Sequence, residues 1–254
     1  MGLKEYDLSG KVAVVTGAGK GLGEQIALAL AEAGADLALV GRNHRNLEAV
    51  AAGVRKMGRK AIVIRADVRR EKDVARMGRQ AYESFKRIDI LVNNAGVIQR
   101  APAMKISLQD WREVIDTNLT GPFLCMKACQ PIMARQGGGS IVNLASGAGL
   151  FGRANMSSYC ASKAGIVNLT RALAIEWAKD KIRVNAIAPG QFETDMGAPL
   201  LNDRKALREF MKNIPLRRIG KPREIGLWAV MLASDAAAYM TGQVVVVDGG
   251  MTAS

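Results

Sequence analysis

Seven short apolar, β-branched runs separated by stretches of helical periodicity set the architecture open to this 254-residue chain. The runs cover 12–16, 37–40, 61–65, 90–92, 140–144, 183–188 and 243–247. Most are continuously apolar rather than alternating, the pattern of strands covered on both faces. Helical periodicity occupies 21–33, 45–57, 71–85, 108–134, 158–179 and 224–233. The stretch 108–134 contains Gly121-Pro122, so it is either two helices or one kinked helix. Strand–helix–strand repetition implies a parallel sheet, and right-handed crossovers put helices on both of its faces. A single doubly wound α/β domain over 1–254 follows, since no linker, low-complexity tract or repeat interrupts the alternation. The segment 190–222 follows a strand and mixes Met, Pro, Leu and basic residues. An insertion at the carboxyl end of a strand is where a substrate cover belongs.

The first run passes directly into Thr16-Gly17-Ala18-Gly19-Lys20-Gly21-Leu22-Gly23 and then into an Ala-rich helix. Glycines let a backbone turn sharply and approach a pyrophosphate, while the helix N-terminus offers free N–H groups to it. Placed between the first strand and first helix of a βαβ unit, this loop is a strong dinucleotide signal. The Lys-Ser/Thr pattern of a P-loop is missing. The second strand ends Leu39-Val40-Gly41-Arg42-Asn43, without the acid that binds a ribose 2′-hydroxyl. Arg42 stands there instead, and Lys20 is in reach of the same phosphate. NADP(H) is therefore expected in preference to NAD(H).

Composition removes several mechanisms. His44 is the only histidine, so a Ser–His–Asp triad would have to use it, and an HExxH zinc site is ruled out. Its neighbours Arg42, Asn43 and Arg45 make it a solvated turn residue. Cys125, Cys129 and Cys160 have neither redox nor metal-site spacing and read as reduced, mostly buried thiols, which suits the cytoplasm. No metal site is expected. No run reaches the roughly 18 apolar residues of a membrane span, and the N-terminus lacks a secretion signal. Net charge is +13, and residues 42–87 hold fourteen Lys and Arg against five Asp and Glu. With aromatics at only 5% there is little for bases to stack on, so solvated helix faces beside an anionic cofactor are favoured over nucleic acid.

Tyr159 and Lys163 stand four apart in a helical segment and so share one face. A free phenol has a pKa of about 10, and a neighbouring ammonium lowers it. The pair can thus serve as an acid/base without histidine. Ser146, just past the 140–144 run, is positioned to hydrogen-bond a reacting oxygen.

Taken with Asn93-Asn94-Ala95-Gly96, Asn118 and Pro189-Gly190, these residues resemble the short-chain dehydrogenase/reductase family over nearly the whole chain, through Val247-Asp248-Gly249-Gly250. The resemblance implies a Rossmann-type sheet of seven parallel strands and a catalytic tetrad of Asn118, Ser146, Tyr159 and Lys163. By it, Ser146 steadies the substrate oxygen, Tyr159 carries the proton, and Lys163 binds the nicotinamide ribose and lowers the tyrosine pKa. Asn118 holds a relay water. Asp67 and Val68 flank the adenine, Asn94 contacts the adenosine side, and Phe192 and Thr194 face the nicotinamide end. A homotetramer is also implied.

Within the family, Val97-Ile98-Gln99-Arg100, Glu176-Trp177-Ala178-Lys179 and the Asp248–Ala253 ending are most similar to the gluconate 5-dehydrogenase and 2-deoxygluconate dehydrogenase branch. A sugar acid needs a cation for its carboxylate, and Arg100 and Arg153 come from loops at the carboxyl edge of the sheet. The alternative is a 3-oxoacyl-thioester reductase, which Ala188-Pro189-Gly190 and Thr194-Asp195-Met196 also resemble. Its acidic carrier protein would be attracted by a +13 chain. A non-catalytic nucleotide- or nucleic-acid-binding protein would have no chemical need for an intact Ser146, Tyr159 and Lys163.

Overall fold

Each apolar run becomes one strand of a single sheet in the computed structural model, which describes residues 3–253. The strands are β1 (Val12–Thr16), β2 (Asp36–Gly41), β3 (Ala61–Arg65), β4 (Ile90–Asn93), β5 (Gly139–Leu144), β6 (Ile182–Pro189) and β7 (Val244–Val247). All pair in parallel, in the order β3-β2-β1-β4-β5-β6-β7. Val14 lies opposite Ala38 on one side and Leu91 on the other. Alternate residues of each strand feed opposite faces, and both faces are apolar because both are covered.

On one face Ala13, Val15, Leu37, Leu39 and Val92 pack against helices α1 (Gly21–Glu32), α2 (His44–Lys56) and α9 (Pro222–Ala233). On the other, Val14, Ala38, Val40 and Leu91 meet α3 (Glu71–Phe85), α5 (Gly121–Arg135) and α6 (Ser157–Trp177). The core is aliphatic and sulfur-rich: Cys125, Cys129, Met126 and Met133 of α5 are fully buried, and burial pushes both thiols up, Cys129 to about 12. His44 is not a turn residue but the first residue of α2, its side chain exposed beside Glu48, because Asn43 caps the helix by accepting from the Asn46 N–H.

The long stretch 108–134 resolves into α4 (Leu108–Ile115) and α5, joined without a break by a single π-turn at Asp116–Thr120. One extra residue in the turn lets the helix continue while re-aiming Asn118. Pro122 causes no kink, because it sits in the first turn of α5, where a missing N–H costs least. The segment 190–222 folds into two further helices, α7 (Ala198–Leu201) and α8 (Arg204–Met211). It leaves and returns at one place: Gly220 N–H donates to the Gln191 carbonyl at 3.0 Å, and Glu193 N–H to the Gly220 carbonyl at 3.0 Å. No helix among the described residues is long and apolar enough to cross a membrane.

Candidate active site

The chain leaves β1 toward β2 on one side and reaches β4 on the other, so a crevice opens past the carboxyl ends of these strands. A cavity of about 1000 Å³ occupies it. Gly17, Gly19, Lys20, Gly21 and Leu22 of the glycine loop line one part. Arg42, Asp67, Val68 and Asn94 follow from the ends of β2, β3 and β4. Ser146, Tyr159, Lys163, Phe192 and Thr194 line the far part, with Arg100 and Arg153 beyond. Of the sequence candidates, Gly23 and Asn118 do not reach the cavity wall; both lie beneath it.

Gly17 and Gly21 have φ of +64° and +60°, a region costly for residues with a Cβ. Gly23 serves differently, through close approach: a Cβ there would run into the Gly17 carbonyl and the Asn94 amide. Lys20 precedes α1 without any side-chain cap, which leaves the first-turn N–H groups directed at the cavity. Asn94, expected on the adenosine side, donates its amide to the Thr16 and Gly17 carbonyls at 3.0 and 3.1 Å. It staples the β4 loop to the glycine loop.

At the end expected to take the adenine, Asp67 is gripped by Arg69, whose Nη2 donates to Oδ2 at 2.7 Å, and this pairing holds the carboxyl below its usual range. Arg69 was not among the sequence candidates; a basic residue two positions past the β3 acid was its only signal. Arg42 is exposed and makes no hydrogen bond or ion pair among the described residues. Lys20, expected at the same phosphate, instead forms an exposed ion pair at 2.8 Å with Asp195 of the insertion, which lies opposite the glycine loop. The wall thus holds six cations, and its two carboxylates, Asp67 and Asp195, are both already paired. That donor set fits a phosphate-bearing dinucleotide. Among the described residues no group of three or more His, Cys, Asp or Glu side chains could hold a metal.

Tyr159 and Lys163 project from one face of α6 and are 8% and 5% exposed. Gly149 has no side chain, and a Cβ there would stand 2.7 Å from the Lys163 backbone, so the turn carrying Ser146 presses directly on α6. The Ser146 hydroxyl accepts from the Ala148 N–H at 3.2 Å and is hydrogen-bonded to the Tyr159 phenol. Lys163 Nζ donates to the Leu144 carbonyl at 2.6 Å and stands 5.7 Å from the Tyr159 ring centre. Burial lowers Lys163 to about 8.

The tyrosine departs from expectation. Its pKa lies above the ordinary value, because burial outweighs the hydrogen bond from Ser146 and the charge of Arg100, which pull it down. The ammonium of Lys163 is held on the Leu144 carbonyl.

Asn118 is fully buried at the π-turn. Its Oδ1 accepts from the Val97 N–H at 2.8 Å, and its Nδ2 donates to the Val97 carbonyl at 2.8 Å and to Ser162 Oγ at 3.2 Å. Both amide hydrogens are engaged within the protein. Ser162, missed in the sequence, in turn donates to the Tyr159 carbonyl at 2.8 Å. Phe151, Phe210 and Met251, from three distant segments, complete the far wall and had no sequence signal.

The family described as enoyl-(acyl carrier protein) reductase matches residues 17–252. The chain is 41% identical over 246 residues to a 3-oxoacyl-[acyl-carrier-protein] reductase of Synechocystis sp., covering 96% of this chain and 98% of that one. A short-chain type dehydrogenase/reductase from Mycobacterium marinum superposes with a TM-score of 0.94 at 40% identity, covering 98% of each chain. A gluconate 5-dehydrogenase from Burkholderia cenocepacia, solved in complex with NADP and tartrate, gives 0.95 at 34% identity and 98% coverage of each chain.

Proposed function

The chain belongs to the short-chain dehydrogenase/reductase family and is an oxidoreductase, and on that premise we propose that it interconverts a secondary alcohol and a ketone with NADP(H). The substrate is a sugar acid of the gluconate and 5-ketogluconate kind. The observation that carries this is the convergence of Ser146, Tyr159 and Lys163 on the cavity whose other part is the glycine loop. The unpaired cations Arg42, Arg100 and Arg153 in the same wall support two anionic ends, a cofactor phosphate and a substrate carboxylate.

Bound nicotinamide supplies or takes up the hydride. The chain's own residues manage the proton and the charge. Tyr159 Oη holds the proton destined for the ketone oxygen, and the raised phenol keeps it there at neutral pH. Ser146 Oγ orients and steadies that oxygen. Lys163 Nζ provides positive charge beneath the ribose position. Asn118 acts as a brace, tying the Val97 loop to Ser162 and so to the backbone of Tyr159. The first-turn N–H groups of α1 receive the pyrophosphate, and Asp67 and Val68 flank the adenine. Phe192 and Thr194 border the nicotinamide end. The insertion 190–222 covers the substrate.

A panel of both cofactors against 5-ketogluconate, gluconate and an acetoacetyl thioester tests this directly. Turnover of a sugar acid with NADP(H) is expected. Arg42→Asp is expected to lower the NADP-over-NAD ratio of kcat/KM about 10- to 100-fold, the worth of a charge-assisted contact. An unchanged ratio removes Arg42 from the phosphate site. The second reading, a 3-oxoacyl-thioester reductase, is favoured by the Synechocystis relative, and thioester turnover without sugar-acid turnover would install it.

Assembly into a homo-oligomer, a tetramer by family resemblance, is part of the same proposal. Leu227 of α9, Val246 of β7 and Tyr239 are exposed apolar side chains suited to burial between copies. Sedimentation equilibrium giving a monomer mass would exclude it. Free thiols, Cys125 and Cys129 buried and Cys160 half-buried, agree with a cytoplasmic setting.

A further inference from the structure

Arg153 lies in the loop between β5 and α6, half-buried in the far wall of the cavity. Its guanidinium carbon is 5.1 Å from the ring centre of Phe151 and 5.7 Å from that of Phe210. Nη2 lies 3.2 Å from the Met251 sulfur. No carboxylate or carbonyl among the described residues accepts from this side chain, and neither carboxylate of the wall is free to do so: Asp67 is held by Arg69 and Asp195 by Lys20. A guanidinium has five donors in a planar fork and loses hydration when its faces are covered. Stacking against rings leaves the edge as the polar surface on offer, and the edge is what grips a carboxylate bidentately. Arg100 differs on every count. It is exposed, and its charge bears on the Tyr159 phenol.

The two rings come from different parts of the fold. Phe151 belongs to the fixed loop after β5, whereas Phe210 belongs to α8 of the insertion. Closing α8 over an unpaired guanidinium removes water from a charge, which is unfavourable. A carboxylate paired to the same fork cancels most of that penalty. A bound anion therefore has higher affinity for the closed arrangement than for the open one, the condition for a ligand to shift an equilibrium.

We propose that Arg153 is the specificity residue that reads the substrate's carboxylate, and that it passes this to the cover through Phe210. The inference rests on the sugar-acid reading of the same site. Arg153 orients the acid, Arg100 tunes the phenol, and α8 settles only over a correctly charged substrate.

The test follows reduction of 5-ketogluconate and of a neutral ketose of equal chain length by NADPH, compared on wild type, Arg153→Met, Arg153→Lys and Phe210→Ala. Hydrogen exchange over 195–213 is followed with and without gluconate. Arg153→Met is expected to raise KM for the acid about 10- to 100-fold and to bring the acid-to-ketose ratio of kcat/KM close to one. Arg153→Lys keeps the charge without the fork and falls between. Gluconate is expected to slow exchange over 195–213 in the wild type only; Phe210→Ala loses this protection while keeping most of the preference for the acid. Turnover of the neutral ketose in each variant reports that it is folded. An active Arg153→Met enzyme with an unchanged KM for the acid overturns the inference and leaves the sugar-acid reading standing. Gluconate protection that survives Phe210→Ala overturns the coupling to the cover. A wild type inert toward every sugar acid overturns both readings together.

Discussion

Tyr159→Phe is expected to lower kcat about a thousandfold in either direction while leaving NADP(H) affinity within about threefold, since a positioned proton donor contributes roughly 10²–10⁴ to rate. Only the phenol oxygen is lost. The ring remains buried against Val114 and Ala148, and Ser146 keeps its bond from the Ala148 N–H. Stability should therefore change by about 1 kcal/mol or less. The sign of the pH dependence follows from the same group. Burial keeps the phenol protonated through neutral pH, so kcat/KM for ketone reduction is flat there and declines on the alkaline side. Alcohol oxidation needs the phenolate and moves the opposite way, rising with pH. Stopped-flow cofactor binding beside steady-state rates separates chemistry from affinity. Residual turnover within about tenfold of wild type would remove Tyr159 from the proton path.

Gly23→Ala is the substitution expected to do most harm to the scaffold. The added methyl would meet the Gly17 carbonyl and the Asn94 amide, which are backbone and a twice-bonded side chain rather than a flexible tip. Relief requires α1 to move away from the loop, so both the fit of the helix on the sheet and its aim at the pyrophosphate suffer. A loss of about 2 kcal/mol is expected for such overpacking, seen as a Tm lower by about 5 °C. Cofactor affinity should fall more than about tenfold, because the loop and helix N-terminus are the proposed phosphate contacts. Melting curves with and without NADP(H) check both effects. A Gly23→Ala protein with an unchanged Tm and unchanged cofactor stabilisation would show that the close approach carries no cost.

The strands were legible because a strand covered on both faces must be apolar throughout, and runs such as 12–16 and 90–92 have no other economical use. Their order was not, since nothing in β4 or β5 alone says which neighbour it takes. The glycine loop announced itself by its place after β1. The Tyr159–Lys163 pair announced itself by spacing, and the fold brought Ser146 to it. What spacing could not reveal is which neighbours claim a side chain first: Leu144 claims Lys163, Thr16 and Gly17 claim Asn94, and Val97 with Ser162 claims Asn118. The π-turn at Asp116–Thr120 was hidden because apolar periodicity runs straight through it. Helix α8 was hidden because it buries none of its residues. Phe151, Phe210 and Met251 meet only in three dimensions.

Among the described residues the sheet ends on β7, four consecutive valines bonded to β6 on one side and to no other strand on the other. An edge of that composition is a template for further strands, and cross-strand stacking of valines is the chemistry of aggregation. If copies of the chain bury this edge, as proposed, a change that separates them would be punished through solubility before it could be judged by activity. Val246→Lys, at the most outward of the four, is the gatekeeper that would let a lone subunit be handled in water.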